Sequence, residues 1–285
     1  MTVLLALLGA LFIGISDFLG GVASQQRSAL TVSAVLQLAG LVTLAPIAAV
    51  VGAHDLTAHD AGLGALSGLV TSVAFLGFFT AIAHGRIGIV LPVSAAFAAL
   101  LPAAAGLAGG NNLSALAIGG IGCALLAIPL VAYEAEDAAA VSEDAAERWP
   151  AGRQALISML CGAGFGIYFV CIGHTSTRSG LWPTVANLAV AVAVTIPIAY
   201  HRGLMPTPAA TPRLALFGGV SLGAADATLT TALQRGPLTV ASVLGNLYPL
   251  VTIALGVVVL KERIHHWHAV GIALAVAGVA MIAAG

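Results

Sequence analysis

Apolar runs about as long as a membrane helix alternate with short polar breaks along the chain, and this pattern predicts ten spans. The runs fall at about 2–22, 30–51, 61–83, 87–108, 113–133, 154–173, 181–200, 213–233, 238–260 and 267–284. The breaks hold the charges and turn residues: Gln25-Gln26-Arg27, His54-Asp55, His84-Gly85-Arg86, residues 109–112, His201-Arg202, Arg235-Gly236-Pro237 and Lys261-Glu262-Arg263. Residues 2–19 have no basic residue ahead of them and no Ala-x-Ala site behind, so they read as the first span and not as a signal peptide.

One break is longer than the rest. Residues 134–153 carry six acids and two arginines together with Pro150, the pattern of a solvated linker. The segments on either side repeat. A shift of 151 residues lays Thr80-Ala81-Ile82-Ala83-His84-Gly85 on Thr231-Ala232-Leu233-Gln234-Arg235-Gly236, and Pro46-Ile47-Ala48 on Pro197-Ile198-Ala199. It also lays Gly68 on Gly219, Phe97 on Tyr248 and Gly120-Ile121 on Gly271-Ile272. Five spans per half is an odd number, so the second half enters the bilayer upside down. The expected fold is an all-α membrane protein with ten transmembrane helices as two inverted five-helix repeats, 1–133 and 154–285, joined by the linker 134–153. Gly64-x-x-x-Gly68, Gly162-x-x-x-Gly166 and Gly219-x-x-x-Gly223 predict close helix crossings.

Composition narrows the function. Hydrophobic residues make up 60% of the 285 residues and charged ones 7%, too few charges to cover a soluble globule. The net charge of −1 gives no nucleic acid a reason to bind. Cys123, Cys161 and Cys171 sit singly in apolar runs and predict neither a metal site nor a disulfide. His265, His266 and His268 cluster after Glu262, where a wet helix start accounts for them without a metal. There is no Walker loop for ATP.

The segment 232–284 resembles the EamA repeat of the drug/metabolite transporter superfamily. The pattern is Ala232-Leu233, Gly236-Pro237, Ala241-Ser242-Val243-Leu244, Tyr248-Pro249 and Lys261-Glu262-Arg263, closing with Gly271-Ile272-Ala273-Leu274 and Ala277-Gly278. In the first half Asn111-Asn112 stands where that family has an acid–base pair. The resemblance implies secondary transport, often export, of amino acids, metabolites or toxic compounds, with no cofactor. It implies a multi-pass protein of the plasma (inner) membrane if the source is bacterial.

Candidate chemistry is sparse. Asp17 lies within the first span and Asp226 in the middle of the eighth. A carboxylate at membrane depth is costly against lipid, so both should face the bundle interior, where they suit proton coupling or a substrate amine. In the repeat register Asp226 falls opposite Phe75, and Asp17 opposite Tyr168 or its neighbour Phe169. Gln37, Asn187, Asn246 and Tyr168 also lie at membrane depth, as glue between helices or as cavity lining. Tyr248 stands before Pro249, and a proline in a span frees a carbonyl and bends the helix. The expected substrate- and proton-binding set is therefore Asp17, Asp226, Tyr168, Asn187, Asn246, Tyr248, Gln37 and Phe75. No lysine or arginine lies deep in a span, which points to cationic, zwitterionic or neutral solutes.

The expected partners are a small-molecule substrate, protons, the lipid bilayer and, for the protein itself, a monomeric or homodimeric state. A membrane enzyme would need His, Asp or Cys clustered in the spans, and a receptor or assembly subunit would bind solute without flux. The odd-numbered breaks hold eight of the ten cations, so the positive-inside rule leaves both termini outside, whereas the resemblance implies cytoplasmic termini.

Overall fold

In the computed structural model the chain is a bundle of helices. It describes residues 1–85, 87–108, 114–116, 118–120, 122–123, 126, 149–205, 213–236, 238–259 and 266–284. The helices are α1 (Thr2–Gln26), α2 (Ala29–Val51), α3 (Ala58–Ala83), α4 (Ile87–Ala108), α5 (Ala151–Gly173), α6 (Trp182–His201), α7 (Arg213–Arg235), α8 (Leu238–Gly245), α9 (Tyr248–Val259) and α10 (His266–Ala284). Among the described residues there is no strand. Six helices, α1–α3 and α5–α7, are long and apolar enough to cross a membrane. Most of the expected fifth span, the linker as far as residue 148, Arg86, Asn111-Asn112, Pro237, Lys261-Glu262-Arg263 and His265 lie outside the described residues.

The helices are inside-out relative to those of a soluble bundle. On α1, Val3, Leu4, Leu7 and Leu11 face outward while Ala6, Gly9, Ala10, Gly14 and Asp17 are buried. Lipid solvates large apolar side chains as well as a protein core does, so small residues take the contact face and let backbones approach. All three glycine pairs do this. A Cβ on Gly64 or Gly68 of α3 would run into the backbone of Pro183 or Asn187 on α6. One on Gly219 of α7 would strike the Leu36 carbonyl of α2, and one on Gly223 would lie 2.7 Å from the Gly40 carbonyl oxygen. Gly162 and Gly166 of α5 seat in the same way on Ser94 and Ala98 of α4.

The main packings come in related sets. The most extensive is α1 on α7, and α3 packs on α5; α2 packs on α7, and α3 on α6; α4 packs on α5, and α1 on both α8 and α9. Under the 151-residue register α1, α2, α3 and α4 correspond to α5, α6, α7 and α8–α9. Exchanging the halves turns each of these packings into another of them.

Helix ends meet at two faces of the bundle. At one face the Trp149 N–H donates to the His84 carbonyl at 2.9 Å, and the Thr31 hydroxyl donates to the Leu204 carbonyl at 2.8 Å. At the opposite face the turn 52–57 is tied to the turn 174–181. The His54 and Asp55 N–H groups donate to the Arg178 carbonyl at 2.8 and 3.2 Å, and Ser179 donates to the Asp60 carboxylate. Gly52 and Gly180 hold positive φ angles of 74° and 55° there, and a Cβ on Gly180 would lie 2.6 Å from the Gly52 carbonyl oxygen. Gln234 of α7 closes the knot by donating to Thr175 Oγ1 and to the Gly180 carbonyl.

Two elements differ from the sequence expectation. α3 starts at Ala58, not 61, because Thr57 caps it by accepting from the Asp60 N–H at 3.1 Å. The expected ninth span, 238–260, is cut at Asn246-Leu247 into α8 and α9. Pro249 has no N–H for the Gly245 carbonyl four residues earlier, and its ring crowds that carbonyl. The chain turns instead, with the Leu247 N–H on the Leu244 carbonyl and the Leu250 N–H on the Leu247 carbonyl.

The glycine crossings are tested by minimal substitutions. Gly219→Ala should destabilise the detergent-solubilised protein by about 1–3 kcal/mol through overpacking. Gly62→Ala, where nothing lies within 4 Å of the added Cβ, should be neutral or stabilise by up to about 1 kcal/mol through helix propensity. Thermal unfolding of the two variants checks this, and equal losses would contradict the crossing.

Candidate functional site

Six helices and the turn between α8 and α9 send side chains to one cavity at the centre of the bundle. Helical spacing explains most of them. α1 contributes Ile13 and Asp17, α3 contributes Thr71 and Phe75, and α7 contributes Leu222, Asp226 and Leu229, each set spaced by a turn or two. Phe165, Tyr168 and Phe169 come from α5, and Asn187 and Leu188 from α6. Asn246 and Tyr248 come from the break between α8 and the start of α9. The cavity volume is about 60 Å3, room for a few water molecules or a small solute in this conformation.

Seven of the eight residues singled out from the sequence line this cavity: Asp17, Phe75, Tyr168, Asn187, Asp226, Asn246 and Tyr248. Gln37 does not. It is wholly buried between α2 and α6, where its Oε1 accepts from the Thr195 hydroxyl at 3.0 Å. Asn187, one residue from equivalence with Gln37 in the repeat, lines the cavity and also bonds across helices, donating to Ser67 Oγ at 2.8 Å and Thr71 Oγ1 at 3.2 Å.

The two carboxyl groups have unlike surroundings. The Tyr168 hydroxyl donates to Asp226 Oδ1 at 3.0 Å, and the paired hydroxyls of Thr184 and Thr230, 2.6 Å apart, stand beside that tyrosine. Asp17 is 6% exposed and receives no hydrogen bond from any described residue, although Tyr248 lines the same cavity. Tyr248 itself meets Ser94 Oγ at 3.2 Å; Ser94 donates to the Leu91 carbonyl, so the tyrosine is the donor in that pair. Asn246 donates through Nδ2 to the Ser242 carbonyl at 2.8 Å, which leaves its Oδ1 without a partner. Among the described residues, none that lines the cavity is a lysine, an arginine or a histidine.

Sequence reasoning passed over Thr71 and Phe165, and it met Phe169 only as a register neighbour of Asp17. Phe75, Phe78, Phe79 and Phe165 form one ring cluster with centroids 5.1–5.9 Å apart. Phe79 lies on Gly20, where an added Cβ would be 2.6 Å from its ring. This places a phenyl ring between Asp17 and Ser24 along α1. Beyond it, at the face of His84 and Arg202, opens a concavity of about 610 Å3 lined also by Arg27, Leu76 and Thr80. The signal in the sequence was the run Phe75, Phe78 and Phe79 at one-turn spacing, opposite a glycine pair at Gly20-Gly21.

Comparison with known proteins places the second half. Residues 153–284 match the EamA-like transporter family. The chain carries an EamA domain, the domain of the drug/metabolite transporter superfamily. With its apolar helices this makes it an integral, multi-pass membrane protein. One solved structure, described only as "Crystal structure of protein", superposes with a TM-score of 0.67 at 17% identity, covering 98% of this chain and 95% of that one. That likeness is one of fold and extends over both halves. No curated protein matches. The EamA domain supplies Tyr168, Asn187, Asp226, Asn246 and Tyr248 to the cavity, while Asp17 and Phe75 come from the helices ahead of it.

The Tyr168–Asp226 bond is tested by a double-mutant cycle. Tyr168→Phe removes the donor and Asp226→Asn the charge. The two should couple by about 0.5–3 kcal/mol in thermal or denaturant unfolding. Additive losses would mean that the bond carries no stability.

Proposed function

We propose that the chain is a secondary transporter that exports small cationic, zwitterionic or neutral solutes by alternating access, with protons as the coupling ion. The observation that carries this reading is the pair of carboxyl groups on one central cavity that no basic side chain lines among the described residues. A carboxyl at membrane depth either carries a proton or meets a cation. A cavity that offers two such groups in turn to each side of the membrane has what proton exchange requires.

Ten spans in two inverted five-helix repeats suit this reading. Its support is the exchange relation among the helix packings, together with the likeness of fold over 98% of the chain. The two ends of the route are closed by different means. The knot of turns 52–57 and 174–181 closes one face, and the phenyl cluster at Phe79 separates the cavity from the concavity at the other. Passage to either face requires one closure to open while the other holds.

The test is flux in reconstituted vesicles. A pH gradient should drive solute movement by the wild-type protein. Asp226→Asn should abolish the gradient's effect while leaving slow exchange, and Asp17→Asn should cut flux at least about tenfold. Gradient-driven flux retained by both variants would sink the proton role. Solute binding with no flux in any vesicle would sink the transporter reading.

A further inference from the structure

We propose that the cavity binds the ammonium group of a small primary amine at Asp17 and Asn246, and that Asp226 is not part of this ammonium site. The inference rests on the reading of the central cavity as the solute site and names its substrate class.

The first support is the difference between the two acids. In the repeat register Asp17 corresponds to Tyr168 and Phe75 to Asp226. The Tyr168–Asp226 hydrogen bond therefore has the pair Asp17 and Phe75 as its counterpart, and a phenyl ring has no proton to donate. Asp226 is supplied by its tyrosine at 3.0 Å, with Thr184 and Thr230 behind. Asp17 is left with no donor among the described residues. A buried carboxyl with no donor is an expensive arrangement that a bound cation relieves.

The second support is independent and lies in the helix break. Asn246 is 2% exposed, lines the same cavity, and has an Oδ1 without a partner. The amide cannot be turned to avoid this, because the Ser242 carbonyl at 2.8 Å accepts only from the NH2 side. The Gly245 carbonyl beside it has lost its helical donor to Pro249. The break thus brings two acceptors without partners, the Asn246 Oδ1 and the Gly245 carbonyl, close together. A primary ammonium brings three N–H donors and one positive charge, which matches a carboxylate, an amide oxygen and a backbone carbonyl. The rest of the wall suits an apolar body: the rings of Phe75 and Phe165 and the side chains of Ile13 and Leu188 are all apolar. Ring faces also favour the cation itself. The volume of about 60 Å3 restricts that body to a few carbons in this conformation.

The test uses three molecules with one branched five-carbon skeleton: isoamylamine, isoamyl alcohol and isovalerate. Each is titrated against the purified full chain in detergent by thermal shift and calorimetry. Only the amine should stabilise the protein. Asp17→Asn should weaken its binding by about tenfold or more, the loss of one charge-assisted contact. Asn246→Ala, which removes the amide oxygen, should weaken it severalfold. Equal stabilisation by amine and alcohol overturns the proposal. So does amine binding that survives Asp17→Asn and is lost in Asp226→Asn. Should Asp17→Asn fail to fold, Asn246→Ala decides alone, and unweakened binding overturns the proposal. Amine binding without vesicle flux of amine leaves the site standing and removes the transporter reading. Flux of other solutes by a protein that binds no amine removes the site and leaves the transporter reading.

Discussion

The bundle depends on backbones touching backbones. Hydrocarbon offers leucine and valine as good a home as any core, so the packing of large side chains does not by itself draw these helices together. What remains is dispersion at close range, and that needs faces with almost no side chain. Gly68 on Asn187, Gly219 on Leu36 and Gly162 on Ser94 are such faces, each joining a helix of one half to a helix of the other. The same crossings fix where the cavity lies. Asn187 and Ser94 belong at once to a crossing and to the cavity's hydrogen-bond network.

Close packing restricts where polar groups go. Many hydroxyls in the bundle turn back on their own helix. Ser67 bonds to the Gly64 carbonyl, Ser72 to Leu69, Thr80 to Leu76, Ser158 to Gln154 and Thr231 to Ala227. Such groups are satisfied locally and hold no helix to another. Many of the polar groups that do reach across helices gather around the cavity and at the knot of turns 52–57 and 174–181; Thr195 on Gln37, Ser221 on the Phe12 carbonyl and Thr31 on the Leu204 carbonyl lie elsewhere. The knot has its donors and acceptors matched, and the cavity does not.

Much of this was legible in the sequence because lipid is a simple solvent. Apolar length alone located the described helices to within a few residues, apart from the ninth span, which is divided. An acid inside an apolar run has few places to go, which is why Asp17 and Asp226 were picked correctly as facing inward. Amides were harder. Gln37 and Asn187 stand one residue apart in the repeat register, yet one bonds to Thr195 and the other lines the cavity wall. Aromatic rings were harder still. Phe165 and Phe169 look like any apolar residue of a span until the partners across the bundle are known. The proline at 249 announced a distortion, but its form, two helices with a turn at Asn246-Leu247, depends on the Leu244 and Leu247 carbonyls finding new donors.

That turn has a mechanical consequence. A continuous helix resists bending because every turn is stapled to the next along its whole length. Where the ladder skips a rung, resistance to bending is lowest, and the two pieces act as separate short rods. The lower rod, α9, is pinned to α1 by the Thr252 hydroxyl on the Gly14 carbonyl at 3.0 Å and by Val251 against Gly14. The upper rod, α8, rests its Gly245 end on Leu229 of α7. The joint between them carries Asn246, so a change of angle at the joint is also a change in the distance between Asn246 and the rest of the cavity wall.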